Sequence, residues 1–321
     1  MKINFLNLSK SVFRSFLLRG TRIFYRNQSP QRNNLNPVNQ RINMTASCRD
    51  IDVIPKVEHA GEVFVRDNNR VQLMHDGTIV LADAYCGDWV TEIINKLKGH
   101  HEPQEELIFH HILQHVRKHS LMIELGAWWA YYSNWFLGKV EGGKSICIEP
   151  DPVNLECGKT NMALNGRHAN FINAFIGNKN IQPQNSENAN NNNGVEVHCM
   201  NFNDVVVAAK NDFIEILHMD IQGAEHPFLL SMIGSDAHKK VRFLFISTHH
   251  ESISGSPSTH EDCISTLKSI GATILVEHNI DESYSGDGLI VSSFDPNDIN
   301  ILMPSISRNT RENSLFLFSD S

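Results

Sequence analysis

Two carboxylates stand at the ends of two short apolar runs. Glu124 lies in Leu121-Met122-Ile123-Glu124-Leu125, and Glu149 closes Ser145-Ile146-Cys147-Ile148, 25 positions later (149 − 124). Gly126-Ala127 follows the first run, and Pro150-Asp151-Pro152 follows the second. A glycine where a strand ends lets the backbone approach a ligand that a Cβ would push away. A carboxylate at the tip of the next strand offers acceptor oxygens to the two hydroxyls of a ribose. A second group of reactive side chains lies further on, with His218, Asp220 and Glu225 after one apolar run and His249 and His250 after another. Imidazole titrates near neutral pH and a carboxylate can take a hydroxyl proton, so His249, His250, His218 and Asp220 are candidate general bases. Asp220, Glu225, His249 and His250 are also an alternative oxygen and nitrogen set for a divalent ion that would acidify a hydroxyl.

The elements that must hold these groups follow from the pattern of apolar runs. Leu121–Leu125 and Ser145–Ile148 are strand-length, and the 25-residue spacing is what one strand-helix-strand passage fills, with Trp128 to Phe136 reading as a turn that runs into a helix. Val153 to Leu164 is helical and stops at Asn165-Gly166. Phe171–Ile176, Phe213–Leu217 and Val241–Ile246 read as the third, fourth and fifth strands, with short helices at Asp204–Lys210 and His260–Ile270. Thr273–Val276 and Leu289–Val291 close the series. Strands alternating with helices predict an α/β fold with an open, mostly parallel sheet covered on both faces. Ahead of it, alternating runs over 58–84 are separated by turn residues, and helices are expected at Trp89–Leu97 and Pro103–His119. The expected organisation is a basic tail and linker over 1–50, a small α+β cap over 51–120, a main domain over 121–300 and a tail over 301–321. Asn178 to Gly194, with its asparagine run, reads as a flexible loop followed by a short strand at Val195–Cys199.

Charge is unevenly spread along the 321 residues. Nine of the 28 Lys and Arg fall in residues 1–50 beside a single acid, Asp50, which leaves 19 bases against 35 acids, a balance of −16. So acidic a main domain argues against nucleic acid as a partner. The tail mixes regularly spaced bases with apolar residues, so residues 1–26 suit peripheral contact with an anionic membrane; a transit-like segment or a loosely attached tail fits the same composition. Six cysteines without a CxxC pair suit reduced thiols, and the location expected is cytoplasmic or membrane-peripheral.

Three motifs in order resemble the FkbM family of S-adenosylmethionine-dependent methyltransferases, over about residues 100–295. The family's Asp-x-Gly-Ala-Asn-x-Gly-x-x-Ser/Thr is similar to Glu124-Leu-Gly126-Ala127-Trp128-Trp-Ala130-Tyr-Tyr-Ser133. Its Glu-Pro-Asp-Pro with a following Asn-x-x-x-Asn-Gly stands as Glu149-Pro150-Asp151-Pro152 and Asn161-Met-Ala-Leu-Asn165-Gly166. Its Lys-x-Asp-x-Glu-Gly-x-Glu looks like His218-Met-Asp220-Ile-Gln222-Gly223-Ala224-Glu225. The chain departs from the pattern at Trp128, Ala130, His218 and Gln222.

The resemblance implies a Rossmann-like, seven-stranded methyltransferase domain and S-adenosylmethionine as cofactor. It places Gly126 and Ala127 by the methionine portion, with Glu124 accepting from the ammonium, Glu149 on the ribose and Asp151 and Phe175 by the adenine, and it counts Ser133 and Asp220 among the cofactor-binding residues. Trp128 is expected beside the sulfonium, with Trp129, Tyr131 and Tyr132 in the core. The implied reaction is O-methylation of a hydroxyl on a sugar, glycan or glycolipid precursor. Two rivals stand beside it: a non-catalytic binding protein on a degenerate methyltransferase fold, and an NAD-dependent oxidoreductase or epimerase. The second predicts Gly-x-Gly-x-x-Gly after the first strand, which the sequence lacks. The acceptor and the oligomeric state are not legible in these residues.

Overall fold

Each of the five residues Leu121–Leu125 is buried, as a strand flanked by neighbours on both sides requires. The computed structural model describes residues 37–177, 198–210 and 212–315. The chain divides into two units, Met1–Gln40 and Arg41–Ser321. Of the first, only residues 37–40 are described, as the opening turn of helix α1 (Pro37–Ser47).

The second unit begins with a three-stranded antiparallel sheet: β1 (Val63–Arg66), β2 (Asn69–Leu73) and β3 (Ile79–Leu81). Asp67 and Asn68, both with positive φ, make the β1–β2 turn, the conformation a two-residue hairpin loop needs. Helices α2 (Asp88–Lys96) and α3 (Pro103–Leu113) follow. The sequence predicts α3 as far as His119, but tightened turns at Gln114 and His115 end it, and Glu215 takes the Arg117 N–H.

The main sheet is built from β4 (Leu121–Leu125), β5 (Lys144–Ile148), β6 (Asn170–Ile172), β9 (Ile214–Met219), β10 (Val241–Thr248), β11 (Thr273–His278) and β12 (Gly288–Ser293). Its order is β11-β12-β10-β9-β4-β5-β6. The chain starts near the middle at β4, runs outward through β5 and β6, then returns to β9 on the other flank. The β4/β9 junction is therefore the switch point where open α/β sheets bind ligands. The sheet is mixed: β12 runs antiparallel between β10 and β11, because a short connection returns the chain directly beside the strand it has just left.

The predicted third strand divides in two. β6 stays in the main sheet, while β7 (Ala174–Ile176) pairs with β8 (His198–Met200) in a separate parallel pair. Asn173 breaks the run, its amide donating to the carbonyls of Glu149 and Pro150 at 2.9 and 2.8 Å. The loop expected over 178–194 lies outside the described residues, as do 195–197 and the tail segment 1–26.

Helices α4 (Tyr131–Lys139), α5 (Pro152–Leu164), α6 (Phe202–Ala208), α7 (Glu225–Leu230), α8 (Glu251–Ser254) and α9 (Thr259–Ser269) complete the unit. Residues of α6, α7 and α9 pack with Ile123, Leu125, Leu217, Met219, Leu244 and Ile246 in one continuous core. The intervening residues, Glu124 and His218 paired across β4 and β9 and Phe245 beside His218, point to the opposite face. There Phe109 and Tyr132 lie against His218 and Phe245. Asn161 and Asn165 of α5 tie β3 to this unit through the backbone of Leu81 and Ile79.

Candidate active site at the switch point

Gly126 adopts φ 72°, and a Cβ there would drive into the backbone carbonyl oxygen of Asp220. The glycine thus serves the close approach of two strand ends, β4 to β9, and not only approach to a ligand. The N–H groups of Gly126 and Ala127 both donate to Ile148 O, which fastens the turn to β5. Helix α4 starts at Tyr131, after a turn in which Trp128 (φ 37°) and Ala130 (φ 56°) occupy the left-handed region, as the expected turn running into a helix requires. These are the two places where the first motif carries asparagine and glycine, the residues that tolerate such φ best.

Glu124 is buried, and its Oε2 accepts the N–H of Ser133 at 3.0 Å in the first turn of α4. Burial raises its carboxyl above the usual range, and His218 opposes that shift. Its acceptor capacity is thus partly spent inside the fold. The Ser133 hydroxyl is fully internal, accepting from Ser145 Oγ at 2.7 Å and facing Cys147, so its side chain supports the motif from beneath and is not presented to a cofactor. Of the aromatic residues, Tyr131, Tyr132, Trp129 and Trp135 are buried, with Trp129 stacked on Tyr85 at 4.7 Å. Trp128 is half-buried, packs edge-on to Tyr85 at 5.0 Å and donates its ring N–H to Ala84 O.

Glu149 is buried at the tip of β5. Oε2 accepts the Trp128 N–H and Oε1 the Asp151 N–H, each at 3.0 Å, with the Asn154 amide at 3.4 Å. Burial raises the Glu149 carboxyl to about 7, against the pull of the Asp151 and Trp128 amides. A carboxylate has about four lone-pair directions, so room for a hydroxyl donor remains. Asp151 caps α5, its Oδ1 accepting from Val153 N at 2.7 Å, and Phe175 is half-buried in β7.

The main departure from the sequence reading concerns His249, just beyond β10. It is buried, with Nδ1 2.9 Å from Glu225 Oε1 and Nε2 3.1 Å from Asp220 Oδ1 and 3.7 Å from Asp287 Oδ1. Burial favours the neutral ring, but Glu225, Asp287 and Asp220 outweigh it and keep the imidazole protonated well above its usual range. A raised pKa of this kind works against the ring as a general base, and both of its nitrogens face partners within the fold. The metal set fails on the same geometry, because Asp220 and Glu225 bind opposite edges of the ring and cannot converge with it on one ion.

His250 caps α8, its Nδ1 accepting from Ser252 N at 3.2 Å, and burial lowers its pKa. His218 lies within β9, not after it. Its Nε2 is 2.6 Å from Glu105 Oε1, whose other oxygen takes the Ser247 hydroxyl at 3.0 Å. Burial works against a charge on His218, yet Glu105 raises its pKa, so it too is spent as a base.

Asp220 keeps the position expected of it. Burial opposes its charge, but the hydrogen bond and charge of His249 hold the carboxyl below its ordinary range. Its side chain is 24% exposed and that of Asp287 23%, so both reach the surface beside the buried His249. The sequence reading missed Asp287 and Glu102. Burial raises the Glu102 carboxyl to about 8, and Tyr132 Oη donates to it at 2.9 Å. Neither residue sits in a motif; the antiparallel entry of β12 and the loop before α3 bring them here. Tyr85, half-buried, feels the charges of Glu102, Asp220 and Asp287, which places one ring among three carboxyls.

A family model described as the methyltransferase FkbM domain matches residues 110–273, and no curated protein matches the chain. Among solved structures, the chain is similar to precorrin-6y C5,15-methyltransferase from Geobacter metallireducens, with TM-score 0.37, 11% identity, 59% of this chain and 86% of that one covered. M. capricolum TrmK in complex with S-adenosyl-homocysteine gives TM-score 0.36 and 13% identity over 58% and 67% of the two chains. A putative rRNA-methylase from Clostridium thermocellum gives TM-score 0.40 and 8% identity over 59% and 94%.

Proposed function

The chain belongs to the methyltransferase FkbM domain family, and from that premise we propose that it transfers a methyl group from S-adenosylmethionine to a hydroxyl of a sugar, glycan or glycolipid precursor. The observation that carries the acceptor class is the pairing of Asp220 and Asp287 at the cleft, both leaning on protonated His249. The Asp220 carboxylate, held below its ordinary range, accepts from neighbouring hydroxyls, whereas burial raises Asp287; an aromatic face such as Tyr85 offers apolar surface to the C–H side of a sugar ring.

The residues at the switch point suit the cofactor. Glu149 keeps an acceptor direction for a ribose hydroxyl, Gly126 and Ala127 form the adjoining turn, and Trp128 and the acidic wall suit a cation. When bound, the cofactor supplies a methyl group on a positively charged sulfur. Asp220 then has two tasks: to orient the acceptor hydroxyl, and to take its proton as the oxygen gains the methyl group. An alcohol oxygen that gains the methyl group passes to three bonds and a positive charge, and such an oxonium is strongly acidic, so a carboxylate of low pKa suffices to take the proton and leave the neutral ether. His249 holds that carboxylate in position, with Glu225 behind it. Alignment of this kind is worth up to ~7–11 kcal/mol and a general base about 10²–10⁴-fold.

The test incubates the purified protein with methyl-labelled S-adenosylmethionine and a panel of sugars, glycolipid extracts, proteins and amines. Label on a sugar hydroxyl, lost at least ~10²-fold in Asp220→Asn with cofactor affinity retained, supports the reading. Label on an amine or a protein overturns the acceptor class. Cofactor binding without turnover on any acceptor favours a binding protein on the same fold.

A further inference from the structure

A second polar cluster lies away from the switch point, sealed between the leading subdomain and α4. His75 follows β2, His100 precedes α3 and Glu106 belongs to α3; all three are fully buried. One ligand atom from each lies within 4.8 Å of the other two, and among the described residues no other trio of histidine, cysteine and acidic groups converges so closely. Tyr131 Oη joins them, 3.0 Å from Glu106 Oε2 and 3.3 Å from His75 Nδ1. The surroundings are aromatic: Trp135 packs edge-on to His75 at 4.3 Å.

Protons alone account for this cluster incompletely. His100 pairs with Glu106, but its Nε2 is buried without a partner. His75 stacks on His100 at 4.1 Å, and the second oxygen of Glu106 faces His101 Nδ1 at 2.7 Å. Two imidazoles, one carboxylate and a phenol hydroxyl are also a donor set of the borderline kind that suits Zn²⁺.

We propose that His75, His100 and Glu106 form a structural zinc site, with Tyr131 as the fourth neighbour, that staples the leading subdomain to the helix of the first motif. The site is closed, so its role is to hold the fold and not to bind substrate. Zinc–nitrogen distances near 2.0–2.1 Å require the two ring centroids to stand roughly 5 Å apart, so loading opens the His75–His100 stack by about 1 Å. The proposal does not depend on the acceptor or on the methyl-transfer reading.

The experiment expresses the whole chain without a histidine tag in zinc-supplemented medium and measures bound metal by mass spectrometry. The expected result is one zinc per chain, a melting temperature lowered by about 5 °C or more on removal with a strong chelator, and a tetrahedral visible spectrum on refilling with Co²⁺. His75→Gln and Glu106→Gln should each lose the stoichiometric metal. If either variant fails to fold, the wild-type arms decide. Substoichiometric zinc with a melting temperature indifferent to chelator overturns the proposal. So does stoichiometric zinc that persists in both variants, since the ion then sits among other histidines.

Discussion

Asp220 Oδ1 stands 3.1 Å from His249 Nε2, while Glu225 Oε1 holds the other ring nitrogen at 2.9 Å. A single buried imidazolium thus fixes a carboxylate of the loop after β9 to one at the start of α7. Glu225 Oε1 also takes the N–H groups of Ile221 and Gly223, both at 3.2 Å, so the loop carrying Asp220 is fastened at both ends.

His249→Gln should therefore cost stability as well as turnover. Removing one partner of a buried charged cluster costs about 3–5 kcal/mol. The raised pKa of His249 means its contribution is complete below its ordinary value of 6.5 and is lost as pH rises through the higher folded value. The lowered pKa of Asp220 means its contribution is present above 3.8 and is lost as pH falls through the lower folded value. Urea unfolding across pH should show an alkaline fall in the wild type that is missing in His249→Gln.

Glu149 predicts a pH dependence of cofactor affinity. With its carboxyl raised to about 7, proton loss across neutrality creates the stronger acceptor. Calorimetry should find S-adenosylmethionine bound several-fold more tightly at about pH 8 than at about pH 6, and at least roughly tenfold more weakly by Glu149→Ala. A Glu149→Gln variant should flatten the profile, because its amide does not titrate.

The first motif offers a contrast between two small residues. Gly126→Ala should destabilise by about 3 kcal/mol or more, since the new methyl group meets the Asp220 carbonyl in a left-handed backbone. Ala130→Gly exchanges lost packing for relief of the same strain, and should shift stability by no more than about 1 kcal/mol. Thermal unfolding of the two variants measures the difference.

At the other end of the strands, Arg242 donates to Glu215 Oε1 and Asp298 Oδ1, each at 2.7 Å, while Arg117 reaches Glu215 Oε2. Arg242→Leu leaves Asp298 with the Ser293 hydroxyl in place of a cation and Glu215 with Arg117, and should cost about 3–5 kcal/mol. Cofactor affinity, measured well below the melting temperature, should stay unchanged, because this network lies at the opposite ends of the strands from the switch point.

Local sequence carried the parallel core well, because each strand is an apolar run bounded by glycine or a turn, as in Leu121–Leu125 and Val241–Thr248. It was less informative where side chains redirect the backbone: Asn173 breaks an apolar run that looks continuous, and Glu215 draws Arg117 off the end of α3. The site was legible at strand tips, where position alone nominates Glu149 and Asp220. The surroundings of His249 were not legible, because a histidine's protonation depends on neighbours from distant segments, here Glu225 and Asp287. Asp287 lies 38 positions after His249 (287 − 249) and has no motif around it. Its place is a product of topology.

That topology has an evolutionary corollary. The segment shared with the family ends at residue 273, before β12, yet Gly288 pairs with Thr248 and thereby delivers Asp287 to the cleft. Glu102 lies just upstream of the same segment. Asp287 and Glu102 thus come from stretches outside the matched segment, so changes in the terminal hairpin can alter the surroundings of Asp220 without touching the motif residues at the ends of β4 and β5.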